Sequence, residues 1–163
     1  MQHHATPEPS AHQSGAGPSL NRLAAQATTH CLTGCAIGEV AGLVVATQLG
    51  WGNAASIALA TVLAFFFGYS LTLRPLLSSG LALRSALGIA FAADTLSITV
   101  MEIVDNATVL VVPGAMDAGI GDALFWATLV AGLAIAWFAA FPVNRWLIGR
   151  GQGHARAMEH HAH

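Results

Sequence analysis

The sequence predicts an all-α protein, a four-helix transmembrane bundle with both termini on the cytoplasmic side. Three observations predict it. The chain is 55% hydrophobic and 9% charged, against roughly 25% charged residues in an ordinary soluble domain. Its apolar residues fall into four blocks, each able to supply the roughly 17 to 25 helical residues that cross a bilayer. Its six basic residues are all arginines, and they cluster around alternate ends of those blocks. The composition excludes a soluble globule. The formal charge of −2, with no basic stripe to neutralise phosphates, excludes a nucleic-acid partner.

Residues 1–21 are rich in His, Pro, Ser, Gly and Gln, without apolar periodicity, and read as a disordered His-containing tail. They lack the basic start, apolar core and small-residue cleavage site of a secretory signal. The transmembrane domain spans 22–148. Its first span covers about 28–49 and ends at Gly50, Trp51, Gly52 and Asn53, a tight turn with an interfacial aromatic. The second covers about 54–73 and is closed by Arg74 and Pro75. The third, about 85–112, is long enough to require tilt and stops at Pro113. After a loop holding Gly114 and Gly119, Asp122 is placed as the N-cap of a fourth span over 123–148, with Pro142 near its end. Residues 149–163 form a second, His-rich tail. Arg22, Arg74, Arg84, Arg145, Arg150 and Arg156 all fall on one side of this path, which puts both tails in the cytoplasm.

Four of the eight acidic residues, Glu39, Asp94, Glu102 and Asp105, lie inside the spans, all on the first and third helices. An ionised carboxylate at a helix centre costs about 2.5–3.5 kcal/mol, so four uncompensated ones would cost on the order of 10 kcal/mol. Protonation, enclosed water or a bound cation must offset this. On the third helix Asp94, Met101 and Asp105 fall within about 40° of one another, with Ser97 nearby and Glu102 roughly 80° round. On the first, Cys31, Cys35 and Glu39 climb one face at four-residue spacing. Depths counted from the span starts put Glu39 level with Asp94, about 15 Å in. The result is a ladder of thiols and carboxylates. The competing readings are that each acid is a protonated hydrogen-bonding strut, or that Glu102 and Asp105 sit at the outer interface.

The thiol pair Cys31 and Cys35, with His30 beside it and Glu39 one turn on, is a donor mix suited to Cu(I) or Zn(II). The plainer reading is that two small polarizable side chains pack a helix interface. Gly34, Gly38 and Gly42 repeat at four-residue spacing and allow close approach of another helix. His3, the third residue, with His4, and the C-terminal His154, His160, His161 and His163 add metal-binding imidazoles in the tails, unless those tails are a residue of expression cloning or plain low-complexity sequence. No nucleophile and base pair emerges from the spacing, so an enzyme is not expected.

The segments 29–39 (THCLTGCAIGE), 64–69 (AFFFGY), 101–106 (MEIVDN) and 141–147 (FPVNRWL) resemble the bacterial domain-of-unknown-function family numbered 4396, over about 26–163. The resemblance implies a small four-helix membrane protein, hence the bacterial inner membrane, and carries no activity. Function therefore rests on the residues. They lead to a membrane protein that binds and translocates a transition-metal ion, copper first and zinc or nickel next. Its site would comprise His30, Cys31, Cys35, Glu39, Asp94, Met101, Glu102 and Asp105. Because one protomer is small for a pathway, a lipid-embedded homo-oligomer is expected. The alternatives are a proton- or sodium-coupled small-solute carrier, and a non-transporting scaffold subunit.

Overall fold

The computed structural model describes residues 19–150 of the chain. Among them are four α-helices, α1 (Leu20–Gln48), α2 (Asn53–Ser78), α3 (Leu83–Val111) and α4 (Ala123–Gly149), with a 3-10 turn at Ala115–Asp117 and no strand. Each helix is long and apolar enough to cross a membrane, which makes this a multi-pass membrane protein of the expected all-α class. The tail ligands proposed from sequence, His3, His4, His154, His160, His161 and His163, lie outside the described residues.

The first helix begins eight residues earlier than the sequence indicates. Ser19 is its N-cap and its hydroxyl accepts from the Arg22 amide at 3.4 Å. The added turns are amphipathic: Ala24 and Ala27 pack with Leu23 against Ile148 and Phe141 of α4, while Asn21 and Arg22 stay exposed. A hydropathy average across such a segment reads as polar, although one face is fully packed. α1 and α2 both end in a paired-carbonyl cap around a glycine of positive φ, Gly50 at 66° and Gly80 at 86°. In the first, the Trp51 amide reaches the Ala46 carbonyl and the Gly50 amide reaches Thr47.

One further boundary needs correction. Arg74 and Pro75 do not close the second helix, which continues through Pro75 to Ser78. There the hydroxyls of Ser78 and Ser79 donate to the Pro75 and Leu76 carbonyls, supporting a last turn that a proline weakens. Asp122 does occupy the N-cap of α4 but makes no capping bond. Its Oδ2 accepts from the Gly119 amide at 2.8 Å and folds the loop instead.

In cross-section, α1 packs on α2 and α4, α3 packs on α2 and α4, and α1 meets α3 across the centre. The α1–α2 contact is a glycine seam. A Cβ at Gly34 would lie 2.6 Å from the Gly68 Cα, one at Gly42 would lie 2.5 Å from the Ala60 Cα, and one at Gly38 would collide with the Ala64 backbone. Large apolar side chains such as Phe66, Phe91, Ile103, Val130 and Phe138 are exposed on the outside, as a lipid-facing surface requires. The interior holds Thr28, Asp94, Ser97, Glu102, Asp105 and Asn144, all buried.

Candidate functional site

The lane of α1 beside the glycine seam carries Cys31, Cys35 and Glu39, so the close α1–α2 approach fixes where these side chains enter the bundle. Across the centre, α3 buries Asp94, Ser97, Met101, Glu102 and Asp105 on one stripe. The acids predicted to lie within the membrane are thus on the facing sides of the two helices that meet diagonally.

Their register differs from the sequence reading. Cys31 and Asp94 each fall eleven residues after their helix's first residue, and they pair: the thiol donates to Asp94 Oδ1 at 3.6 Å. Glu39 is level with Asp105 instead of Asp94, and the two carboxyls lie within hydrogen-bond reach of each other. Between these levels Cys35 reaches the Glu102 carboxyl. The misplacement follows from the start of α1: depths counted from residue 28 bring Glu39 down to the level that Cys31 holds.

The level nearer the chain termini is a mixed polar network. Asn144 of α4 donates through Nδ2 to Thr28 Oγ1 and to Ser97 Oγ, each at 2.9 Å, tying α4 to α1 and α3. Thr72 of α2 lies within reach of Asp94 and stands 3.2 Å from His30 Nε2. His30 in turn borders a surface groove with Arg22, Gln26, Thr29 and Thr33. A chain of exchangeable groups therefore runs from the surface through His30 and Thr72 to Asp94 and Cys31.

Above it sits an apolar layer. Ile98 and Met101 of α3, Ala64 of α2, and Ala136 and Ala140 of α4 pack together with the two cysteines. Met101, counted among the ladder's ligands from sequence, is a packing residue of this layer.

Beyond the layer three acids converge. Glu102, within reach of Thr61 and Asn106, and Asp105 are each 5% exposed, and Glu39 stands opposite them. Glu39 Oε2, Glu102 Oε1 and Asp105 Oδ1 are buried and accept no hydrogen bond from the described residues. Asp105 Oδ1 occupies the notch where a Cβ at Gly132 would be, so the carboxylate lies against the α4 backbone only because that residue is glycine. Glu39 and Asp105 also border a cavity of about 120 Å³ at the end of the bundle closed by the 3-10 turn. Asn53, Ser56, Asn106 and Thr128 supply its polar lining, and Leu43, Ile57, Phe125 and Leu129 are among its apolar walls.

Among the described residues, no three of His, Cys, Asp and Glu are grouped so as to hold a metal ion. Arg145 does not approach the acids; its Nε donates to Asn21 at 2.7 Å. Thr28, Thr61, Thr72 and Asn144 were not singled out from sequence. A lone amide or hydroxyl inside an apolar span was the available signal, since such groups hydrogen-bond between helices in lipid.

A family model described as a domain of unknown function, DUF4396, matches residues 20–153. It starts at the first residue of α1, ahead of the resemblance read from sequence. No curated protein and no solved structure matches the chain.

Proposed function

Taking as premise that the chain belongs to the DUF4396 family, whose description assigns no activity, we propose that it carries protons across a bacterial inner membrane through the interior of its bundle. The observation that carries this reading is the stack of buried acids on the α1–α3 diagonal. One lies in a hydroxyl- and thiol-bearing network, and three lie beyond an apolar layer with unmet acceptor oxygens. Buried intramembrane carboxylates arranged in series are the usual parts of a proton relay. The packed layer of Ile98, Met101 and alanines leaves Cys31 and Cys35 as its exchangeable groups, which favours carrier-like turnover over an open water-filled channel. The arginine distribution favours the cytoplasmic side for the termini, and with them for the His30 groove. The protomer works within a homo-oligomer.

The test is reconstitution into liposomes containing a pH-sensitive dye, with a potassium diffusion potential as driving force. Wild-type protein is expected to admit protons faster than empty liposomes, and Asp94→Asn and Glu102→Gln to reduce the rate at least about tenfold, the effect of about 1.4 kcal/mol on a barrier. Equal rates with and without protein would overturn the proposal.

A second reading, transition-metal binding with copper ahead of zinc and nickel, has one observation in its favour: each thiol lies against a carboxyl, Cys31 against Asp94 and Cys35 against Glu102. It requires a further ligand from a tail or from a second copy. Elemental analysis of protein purified without added metal tests it, with loss of bound metal expected in the Cys31→Ser, Cys35→Ser double variant.

A further inference from the structure

We propose that the cavity between Glu39 and Asp105 binds a small organic ammonium ion, in exchange for a proton shared by the two carboxyls. This deepens the proton-carrier reading and rests on it for its physiological role, but the binding site stands on separate observations. The cavity measures about 120 Å³, against about 150 Å³ for an engineered apolar cavity that takes benzene. It therefore fits a molecule of about five non-hydrogen atoms. Asp105 lines it and is 5% exposed, and Glu39 lines it from across the bundle; among the described residues each carboxyl has one oxygen without a hydrogen-bond partner, that of Asp105 being the one seated against Gly132.

The remaining lining decides the kind of cation. Glu39 of α1 and Asp105 of α3 are the titratable side chains of the wall. α2 contributes Asn53 and Ser56 there, and α4 contributes Thr128, all neutral; Glu102 stands behind Asp105, deeper in the bundle. Among the described residues, no basic side chain lines the cavity. An inorganic cation would find few oxygens and several hydrocarbon walls, whereas an alkylammonium presents N–H donors to the carboxyls and a carbon tail to Leu43, Ile57 and Phe125.

Charge conservation gives the exchange its stoichiometry. In this proposal the two carboxyls, within hydrogen-bond reach of each other, share one proton. When a monovalent ammonium enters and that proton leaves to bulk water, the carboxyl pair and its guest keep the same net charge of −1 in a medium where a change of charge is costly. One cation enters and one proton leaves, with no bond made or broken in the guest.

The experiment is calorimetric titration of the full chain in detergent with butylammonium chloride, repeated in two buffers of different ionisation heat to count protons. Matched titrations use 1-butanol and sodium chloride. Saturable binding is expected, with a Kd between about 1 μM and 1 mM for a ligand of this size and about one proton released per cation. Butanol and sodium should give no saturable heat. Asp105→Asn should weaken binding at least about tenfold, and so should Val109→Phe, which fills the cavity while leaving both carboxyls in place.

Comparable binding of butanol or of sodium, absence of saturable heat in folded wild-type protein, or binding without proton release would each overturn the proposal. The liposome assay separates the two readings. Butylammonium binding without proton flux sinks the proton-carrier function and leaves this site standing, and flux without binding does the reverse.

Discussion

The two polar levels of the bundle differ in what surrounds their acids. Near the termini, Asp94 sits among neutral donors on every helix, with Cys31, Thr72, Ser97, Thr28 and Asn144 linked across α1, α2, α3 and α4. At the other level Glu39, Glu102 and Asp105 crowd together, with Thr61 and Asn106 as neutral neighbours and a cavity alongside. The first arrangement resembles the interhelical hydrogen bonds that hold membrane bundles together. The second has more acceptors than donors, the mark of a place where a proton or cation completes the structure. The acids of the proposed relay thus stand in two settings that differ in the donors supplied with them.

The largest effect on this contrast should come from erasing the register that creates both levels. Gly38→Leu drives a side chain into the Ala64 backbone, and since neither helix can yield without parting the seam, a loss of about 3 kcal/mol is expected. Unfolding of purified protein by denaturant in mixed micelles measures it, and a stability equal to wild type would mean the seam is looser than described.

Next in size is Asn144→Ala, which removes two hydrogen bonds between buried groups and should cost about 1–3 kcal/mol, with the cavity-side level left intact. The same denaturation checks it, and butylammonium binding should persist at the wild-type Kd. Smallest is Asp105→Asn. Because it replaces a carboxylate bearing an unmet oxygen by a neutral group of the same shape, stability should change by less than about 1 kcal/mol while proton flux falls at least about tenfold. A folded, fully active Asp105→Asn protein, or one that unfolds outright, would erase the distinction between the two levels.

Much of the scaffold was legible before any coordinates. Blocks of apolar residues gave the four helices, glycines at four-residue spacing gave the seam, and the angular position of Asp94, Ser97 and Asp105 gave the interior stripe of α3. What failed was the axial register. The first two turns of α1 bury one face and expose Asn21, Arg22 and Gln26 on the other, so their mean hydropathy conceals a packed helix. Eight residues of error at that end moved Glu39 from Asp105 to Asp94.

The cavity was out of reach for another reason. It arises where the 3-10 turn, the starts of α2 and α4 and the ends of α1 and α3 come together, a tertiary coincidence with no local pattern. The role of Gly132 was hidden likewise, since only the partner helix reveals that Asp105 fills its missing side chain.

The band of Ile98, Met101, Ala64, Ala136 and Ala140 has a consequence for energy conservation in the cell. A membrane that stores work as an ion gradient is discharged by any unguarded leak, and a packed apolar layer between two polar levels opposes one. Small alanines from two helices meet one flexible methionine there. Under the proposed carrier function, that band would have to part and reseal around each passenger.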